Sequence, residues 1–330
     1  MKISVIVCTY NRSKILSAAL ESIAASKVPE YVDWDVLVVD NNSNDSTQEV
    51  VEAFCSTHPR RFRYLFEPKQ GKSYALNTGI RAASGDILAF TDDDIVVERD
   101  WLWNLAAPLQ SGDWSSSGGR IALAPFQCPP WLRIDGENSL GGVLGFFDLG
   151  NTARKSTQPF WGGNVAYRKE VFARCGLYRT DLGRRGEELL SNEDTEFSSR
   201  LLAAGERLWY EPSAIVYHAV PQDRLTKSHF LKFAYSQGRS RIRETAKRSS
   251  VFGVPRWCFS IPALAFRMLI PRVKRWLLAP DPQERFFYLW AVWGTLGMIA
   301  ELPRVGAEEK NKDRMRNRNE AAPREFPGIS

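Results

Sequence analysis

The stretch ILAFTDDDIVVERDW, Ile87–Trp101, places three consecutive aspartates directly after a short apolar run. Adjacent carboxylates repel one another, so Asp92, Asp93 and Asp94 need a cation or a set of hydrogen-bond donors to compensate their charge. Mg²⁺ and Mn²⁺ bind to one or two carboxylates together with substrate phosphates and water. The alternative is a solvated turn in which Asp94 caps a following helix. On this stretch alone, both interpretations stay open.

The chain before these aspartates alternates strand and helix patterns. Apolar, β-branched runs predict strands at Ile3–Cys8, Trp34–Asp40, Arg63–Phe66 and Ile87–Phe90, and helical spacing predicts helices at Ser13–Ser26, from Ser46 onward and at Lys72–Ala83. Ser46 and Glu49 have the spacing of a capping box. Strand–helix alternation predicts βαβ units, and therefore an α/β fold with a mainly parallel sheet.

Polar residues follow three of these strands at the point where each strand ends. They are Thr9–Arg12, Asp40–Asn42 and Asp92–Asp94. In open α/β sheets, ligands bind outside the carboxyl ends of the strands. We therefore expect a ligand site at this edge, although Asp40–Asn42 alone also fits an Asx-rich turn.

Two polar stretches open predicted helices. KQGKSYALN, Lys69–Asn77, offers a cation and amide donors suited to a phosphate group. It is not a Walker A loop, because Phe66 stands where the first glycine would be. SNEDTEF places Glu193 and Asp194 at a helix start, where one acid could act as a general base or both could simply complement the helix dipole.

Two further candidates come from the second half of the chain. WGGN, Trp161–Asn164, offers an aromatic face for a sugar ring, or an ordinary loop with a packed tryptophan. His218 ends the run AIVYH and is either a structural histidine or an additional metal ligand. Around them, Asn164–Gly176 predicts a strand and a short helix, and a helix is expected from Glu193 or Asp194 to Gly205. Arg207–His218 predicts two strand pieces around Pro212, whereas Trp101 to about Leu149 is expected to form irregular loops.

Composition excludes several classes of protein. With 330 residues, 44% of them hydrophobic, and a net charge of +6, the chain is globular and mildly basic. It contains no nucleic-acid-binding signature, so nucleic-acid partners are not expected. Five scattered cysteines without a CxxC pair indicate reduced thiols of a cytoplasmic protein, and the apolar run at Ile3–Cys8 is too short for a signal peptide.

The C-terminal third is helical in pattern, basic and aromatic. Its longest apolar stretch, Phe286–Ala300, has 15 residues, whereas a spanning helix needs about 20. It therefore either lies on a membrane or packs on the domain. Basic residues beside tryptophan and phenylalanine suit an anionic membrane surface, and a solvated helix face is the alternative.

Taken together, the motifs resemble family 2 glycosyltransferases with the GT-A fold. The resemblance covers about residues 2–226 and rests on VIVCTYNR, VLVVDNNSND, GKSYALNTGI, GDILAFTDDD, WGGNVAYRKEVFARCGLY, SNEDTEFSSRLLAAG and AIVYHAVPQDRLT, all in the order of the family. One departure is Cys8, where the family often has proline. The resemblance implies a Rossmann-like central sheet with flanking helices, followed by a C-terminal helical region.

The resemblance also implies roles for individual residues. Asp194 matches the catalytic base and Glu193 would support it, while Asp94 and His218 would hold Mn²⁺ or Mg²⁺. Trp161, Gly162, Gly163 and Asn164 would meet the acceptor. The nucleotide-sugar would contact Thr9, Tyr10, Asn11, Arg12, Asp40, Asn42, Lys72, Asn77, Asp92 and Asp93.

The implied activity is inverting, metal-dependent hexosyl transfer from a nucleotide-sugar, with UDP favoured, in surface polysaccharide or glycolipid synthesis. The acceptor would be a glycan or a lipid-linked glycan. A glycosidase, a sugar-1-phosphate nucleotidyltransferase and a non-catalytic nucleotide-sugar-binding scaffold remain as alternatives.

The expected domains follow from the same resemblance. Residues 1–226 would form the glycosyltransferase domain, with a nucleotide-sugar half at 1–100 and an acceptor half at 101–226. Residues 227–304 would form a helical region in peripheral contact with the cytoplasmic face of the membrane. Residues 305–330 would be a disordered tail.

Overall fold

One large sheet with helices packed against it forms the centre of the chain. The computed structural model describes residues 1–186, 188–245, 250–251, 254–255 and 257–321. The strands are β1 Lys2–Thr9, β2 Asp33–Asp40, β3 Phe62–Phe66, β4 Ile87–Asp92, β5 Ile95–Val97, β6 Ser116–Leu123, β7 Arg154–Ser156, β8 Val165–Arg168, β9 Leu208–His218, β10 Ser250–Val251 and β11 Val254–Pro255. The helices are α1 Ser13–Ala24, α2 Thr47–Thr57, α3 Lys72–Ala82, α4 Trp101–Ala106, α5 Glu170–Cys175, α6 Glu193–Ala203, α7 Lys227–Thr245, α8 Trp257–Leu264, α9 Ile270–Leu278 and α10 Pro282–Ala321.

The first half of the sheet is wholly parallel, as the strand–helix alternation predicts. Its strand order is β3-β2-β1-β4, and β1 is buried along nearly its whole length. Strands that helices cover on both faces bury every side chain, which explains their continuous apolar runs. The register pairs Thr9 with Asp40 and Cys8 with Asp92. The strand ends therefore meet at one edge.

The second half of the sheet is mixed. Beyond β4 the order continues β8-β6-β9-β5, and β8 and β5 run antiparallel to their neighbours. Strand β6 lies inside the stretch expected to be irregular, so that expectation was wrong there. Its sequence, SSGGRIAL, does not look like a strand because two glycines interrupt it. These glycines are needed, because an added Cβ on Gly118 would collide with the ring of Phe160, and one on Gly119 with the carbonyl of Ala214. Neighbouring segments of the chain approach β6 so closely that glycines are required at these two positions of the strand.

Two local expectations also need correction. The segment around Pro212 is one continuous strand, β9, and not two pieces; the irregularity appears as a register shift between Gly119 and Arg120 of β6. Ser46 stands at the N-cap of α2 but makes no capping hydrogen bond with its side chain. Asp45 takes that role, because its Oδ1 accepts from the Thr47 backbone N–H at 3.1 Å.

The C-terminal helices pack on one another and on the cleft side of the sheet. An added Cβ on Gly238 of α7 would collide with the carbonyl of Gly294 in α10, so the two helices touch backbone to backbone. Phe286, Ala291 and Val292 are buried, so the apolar stretch Phe286–Ala300 packs on the domain. Within the described part of the chain, no helix is long and apolar enough to cross a membrane.

The expected disordered tail, residues 305–330, begins inside helix α10, which continues to Ala321. The domain boundaries, including this tail, stay a prediction. The segment is rich in alanine, glutamate, lysine and arginine, which favour helix. Residues 322–330 lie outside the described residues.

Candidate active site

An open cleft of about 460 Å³ lies at the carboxyl ends of β1 and β4 and reaches the N-terminus of α6. Most of the site residues expected from the sequence line it: Thr9, Tyr10, Asn11, Arg12, Lys72, Asp92, Asp93, Asp94, Trp161, Gly163, Glu193, Asp194 and His218. The expected residues Asp40, Asn42, Asn77, Gly162 and Asn164 are not among the lining residues.

Three basic side chains surround Asp93 and Asp94, and a fourth, Lys72, pairs with Asp92. Arg12 Nη1 donates to Asp93 Oδ1 at 2.9 Å and to Asp94 Oδ2 at 2.5 Å. His218 Nε2 lies 3.3 Å from Asp94 Oδ1, and Arg224 Nη1 lies 3.5 Å from Asp94 Oδ2. The triplet is therefore not a solvated turn: Asp93 and Asp94 are buried inside a shell of basic side chains.

These neighbours give the two buried carboxyl groups, Asp93 and Asp94, different pKa values. Burial raises the pKa of Asp93 to about 6, and the charge of Arg12 offsets only part of that effect. Burial also acts on Asp94, but the hydrogen bond from His218 and the charges of His218, Arg12 and Arg224 outweigh it. They hold the pKa of Asp94 well below its usual range. At neutral pH, Asp94 is an anion that can bind a cation.

Asp94 and His218 form the pair that best fits a divalent cation. A carboxylate oxygen and an imidazole nitrogen meet at the cleft wall, and His218 Nδ1 is buried without a hydrogen-bond partner. No group of three or more potential ligands occurs among the residues that the structure describes. Mn²⁺ and Mg²⁺ accept such a sparse protein set because phosphates and water complete their coordination. The residues present therefore fit a cation that shares its ligands with a diphosphate.

Lys72 connects the aspartate triplet to the acids of α6. It is the first residue of α3, and its Nζ lies 2.6 Å from Asp92 Oδ1 and 3.7 Å from Glu193 Oε1. Burial acts to lower the pKa of Lys72, but the charges of Asp92 and Glu193 outweigh this effect. The pKa of Lys72 therefore lies above its ordinary value. Lys72 therefore remains a cation in the floor of the cleft.

The two acids that open α6 have different environments. The Glu193 side chain is 7% exposed and faces Lys72, and burial together with the charge of Asp194 raises the pKa of Glu193 to about 7. Asp194 is half-buried at the cleft surface. Its Oδ2 accepts from the Gly162 backbone N–H at 2.7 Å and its Oδ1 from the Thr195 N–H at 2.7 Å. Burial still raises the pKa of Asp194, which suits a proton acceptor.

Several predicted ligand-binding residues are occupied by structural hydrogen bonds. Asn77 Nδ2 donates to the Tyr178 carbonyl and its Oδ1 accepts from the Tyr178 N–H. Asn164 is buried: its Nδ2 donates to the Arg120 and Ala214 carbonyls, and its Oδ1 accepts from the Trp101 indole. Both amides are therefore already engaged in hydrogen bonds within the fold, and neither lines the cleft; the contact of Asn77 with the nucleotide-sugar and of Asn164 with the acceptor stays a prediction.

Three more predicted residues lie beside the cleft. Asp40 is buried and accepts from the Tyr64 hydroxyl and the Ser43 N–H. Asn42 is exposed with φ +66° and shapes the turn after β2. Gly162 reaches the site only through its N–H to Asp194.

Sequence reasoning missed residues that other elements bring into the cleft. Arg184 and Arg224 line it, as do Phe233 and Gln237 of α7. Arg224 lies in the motif AIVYHAVPQDRLT but was not singled out there, and no local pattern of polar residues points to Phe233 or Gln237. Asn41, which belongs to the strand-end group Asp40–Asn42, lines the cleft, and its amide oxygen accepts from the Gly71 N–H and so holds the loop before α3.

Comparisons with known proteins agree with this geometry. The profile of the family described as Glycosyl transferase family 2 matches residues 4–176, which include the aspartate triplet and Trp161. The match covers more than half of the chain.

Two relatives are similar over most of their length. The succinoglycan biosynthesis protein ExoM of Rhizobium meliloti (strain 1021) is 28% identical over 256 residues, which are 76% of this chain and 77% of the relative. The glucosyl-dolichyl phosphate glucuronosyltransferase of Haloferax volcanii is 26% identical over 250 residues, 73% of this chain and 76% of the relative.

Two solved structures share the fold. The mannosyltransferase PcManGT of Pyrobaculum calidifontis, in complex with GDP-Man and Mn²⁺, has a TM-score of 0.61 at 20% identity, covering 90% of this chain and 86% of that one. GalNAc-T7 with UDP, GalNAc and Mn²⁺ has a TM-score of 0.54 at 16% identity, covering 77% and 52%. The GT-A architecture expected from the sequence is therefore confirmed.

Proposed function

Because the chain belongs to glycosyl transferase family 2 and is a glycosyltransferase, we propose that it transfers a hexosyl group with inversion from a nucleoside-diphosphate sugar to an acceptor hydroxyl. The observation that carries this proposal is the lining of one cleft, which combines a carboxylate with a raised pKa, Asp194, with the cations Arg12 and Arg224 beside Asp94. A base and a site for a departing anion are the two requirements of such a transfer.

Asp194 is the proposed general base. The N–H groups of Gly162 and Thr195 fix its carboxylate, while its place at the cleft surface leaves it accessible to an acceptor hydroxyl. It takes the hydroxyl proton as the acceptor oxygen attacks the anomeric carbon. The new carbon–oxygen bond forms on the face opposite the bond that breaks, and the diphosphate leaves with the bonding electrons. The configuration of the sugar is therefore inverted.

The site must also stabilise the negative charge of the departing diphosphate. Arg12, Lys72 and Arg224 place fixed positive charge in the cleft before any substrate arrives. Asp94 and His218 would hold a divalent cation, Mn²⁺ or Mg²⁺, that supplies Lewis-acid stabilisation to the diphosphate when bound. The Mn²⁺ in both similar solved structures supports this assignment.

The loop after β1 is the proposed nucleoside pocket. Thr9–Arg12 and Asn41 line the end of the cleft beyond β1 and β2, where an open α/β sheet receives a nucleotide. We propose UDP as the preferred nucleotide. One similar structure holds GDP-Man and the other UDP, so the fold accommodates either base.

The acceptor is proposed to enter from the side of Trp161 and α7. Trp161 packs on Phe147 with ring centroids 5.2 Å apart, and Phe233 and Gln237 face the same opening. An aromatic wall with few charges suits a sugar ring. Since one relative takes part in succinoglycan biosynthesis, we propose a glycan or lipid-linked glycan acceptor in surface polysaccharide or glycolipid synthesis.

The C-terminal helices carry a surface suited to the cytoplasmic face of a membrane. Four apolar side chains on and before α9 are strongly exposed: Phe266 at 76%, Ile270 at 58%, Leu277 at 66% and Leu278 at 68%. Ile270, Lys274 and Leu277 share one helix face, since they are spaced by four and three residues. Exposed Arg267, Lys274 and Arg275 lie beside them. Apolar residues flanked by cations suit an anionic lipid surface.

Calorimetric titration of UDP and GDP, each with Mn²⁺ and with EDTA, tests the donor site. We expect metal-dependent binding of one nucleotide to the wild type and strong loss of it in Asp94→Asn. The isosteric change Asp113→Asn, on an exposed carboxylate outside the cleft, is the matched control. Absence of nucleotide binding by the folded wild type under every condition contradicts the proposal.

A further inference from the structure

Arg184 is a cation in the cleft that the mechanism above does not use. It is half-buried, lines the cleft, and lies in the loop that precedes α6. Its guanidinium makes no ion pair or hydrogen bond with any residue that the structure describes. An arginine carries five donors and remains charged, so removing it partly from water without a partner costs free energy.

The loop holds Arg184 in this unpaired position through its backbone. The Arg184 carbonyl accepts from the Lys72 N–H at 2.8 Å, and the Leu182 carbonyl accepts from the Ser73 hydroxyl at 2.8 Å. Gly183 adopts φ +85°, and an added Cβ there would lie 2.9 Å from Ser73 Oγ. The loop is therefore docked on the first turn of α3, and Arg184 is not a solvent-facing arginine that happens to lie near the cleft.

The surroundings of Arg184 are positively charged. Burial and the charges of Arg224 and Arg12 lower the pKa of its guanidinium, and the opposing charges of Asp94 and Glu193 are weaker. Arg12 pairs with Asp93 and Asp94, and Arg224 contacts Asp94. Arg184, in contrast, contacts no carboxylate of the residues that the structure describes, so its charge is not compensated by a direct partner there.

We infer that Arg184, together with Arg224, forms a phosphoryl-binding subsite that receives the diphosphate of the sugar donor and retains it as the sugar leaves. A guanidinium fork matches two phosphate oxygens, and a diphosphate carries enough charge to neutralise several cations at once. This inference rests on the proposed function and deepens it. It assigns part of the leaving-group stabilisation to an arginine of the α6 loop, independent of Asp94 and His218.

The test compares nucleoside diphosphate with nucleoside. For whichever of UDP and GDP the wild type binds, titration in the presence of Mn²⁺ is repeated with Arg184→Ala, Arg184→Lys and Arg185→Ala. Arg185 is exposed, lies outside the cleft and carries the same charge in the same loop, so it is the matched control. We expect Arg184→Ala to weaken diphosphate binding about 10- to 100-fold, the usual effect of losing a charge-assisted hydrogen bond. Nucleoside binding stays unchanged, and Arg184→Lys is intermediate.

A second readout separates this role from general damage to the site. Since Arg184 repels cations, its removal does not weaken binding of Mn²⁺ alone through charge. Weaker Mn²⁺ binding by Arg184→Ala, or a lower melting temperature together with lost nucleoside binding, would mean a distorted cleft and overturn the inference.

The phosphoryl group could also belong to a lipid-linked acceptor. In that case Arg184→Ala leaves nucleotide affinity unchanged and raises KM for a diphosphate-linked lipid acceptor, with no effect on a free glycan acceptor; this result overturns the donor assignment. Unchanged values for all ligands reject the subsite altogether. In each of these outcomes the wild type still binds the nucleotide. If the proposed function itself is wrong, the wild type does not bind any nucleotide, so the two cases can be told apart.

Discussion

Asp194 and Glu193 are adjacent in the chain but differ in chemical environment. Glu193 points into the protein toward Lys72, and Asp194 lies at the cleft surface between two backbone N–H donors. A general base must be accessible to the acceptor hydroxyl, whereas a residue that only changes the pKa of the base can be buried. The division of roles that the resemblance implies therefore has a physical basis in burial.

We expect Asp194→Asn to reduce kcat for sugar transfer by about 10²- to 10⁴-fold, the usual contribution of a general base. The amide cannot accept the acceptor proton, but the cations beside Asp94 are untouched, so nucleotide affinity changes little. Steady-state transfer kinetics and nucleotide titration measure the two effects, with Asp113→Asn as the control. A variant that keeps wild-type kcat would remove Asp194 as the base.

The acidic limb of the pH–rate profile reports the Glu193–Asp194 pair. Burial raises the pKa of both groups, that of Glu193 to about 7, so we expect transfer to fall as pH drops below neutrality and the pair takes up a proton. Glu193→Gln removes the neighbouring negative charge. Deprotonation of Asp194 then becomes easier, and the limb moves to lower pH. Rates from pH 5 to 9 for both proteins check this; a shift to higher pH contradicts it.

At the scale of elements, the contact between α7 and α10 combines close packing with a buried ion pair. Glu301 of α10 is 0% exposed, and its two oxygens accept from Arg239 Nε at 2.7 Å and Arg243 Nε at 2.5 Å. Burial acts to raise the pKa of Glu301, but these hydrogen bonds and charges outweigh it and lower the pKa. A carboxyl group with a depressed pKa stabilises the fold above its unfolded pKa and loses that contribution as pH falls through the folded value.

We therefore expect Glu301→Gln to lower the free energy of unfolding at pH 7 by about 3 kcal/mol, because two partly buried arginines lose their counter-charge. The difference from wild type narrows as pH falls below the usual range for glutamate, about 4.3. Urea unfolding at pH 7 and pH 3.5 measures it. Arg304 lies 3.6 Å from Glu301 but is mostly exposed, so Arg304→Gln is a control with a smaller effect. A difference that does not depend on pH speaks against the ion pair.

The elements also show where sequence reasoning succeeds and where it fails. The parallel half of the sheet was predictable because β1, β2 and β4 are covered on both faces and contain continuous apolar runs, whereas the edge strand β3 is only partly buried. Strand β6 was not predictable, because its glycines are required by contacts with Phe160 and Ala214, which are distant in sequence. The buried hydrogen bonds of Asn77 and Asn164 were not predictable for the same reason: the partner of a buried amide is set by tertiary packing. The compensation of Asp92–Asp94 by basic side chains was predictable because three adjacent negative charges need opposite charge nearby, and the ligand that they bind stays a prediction.

At the scale of the whole molecule, we expect the exposed face of α9 to bind vesicles that contain anionic lipid. Replacing Leu277 and Leu278 together by glutamate removes apolar area and adds repulsion, so flotation with such vesicles is lost while transfer to a soluble acceptor persists. Tyr31→Glu, at an apolar side chain that is 69% exposed but far along the chain, is the control. Equal flotation of all three proteins contradicts the proposed membrane surface.

The backbone contact of α7 with α10 has a consequence for how this enzyme can diverge. One side of α7 presents Phe233 and Gln237 to the cleft, and the other is fixed by Gly238 against Gly294. The six positions 233–238 of one helix therefore contain two side chains of the proposed acceptor opening and the glycine that holds α7 against α10. Under that proposal, lineages that gain a new acceptor through α7 also change in thermal tolerance, whereas a change of donor preference in the loops after β1 and β2 leaves this helix contact intact.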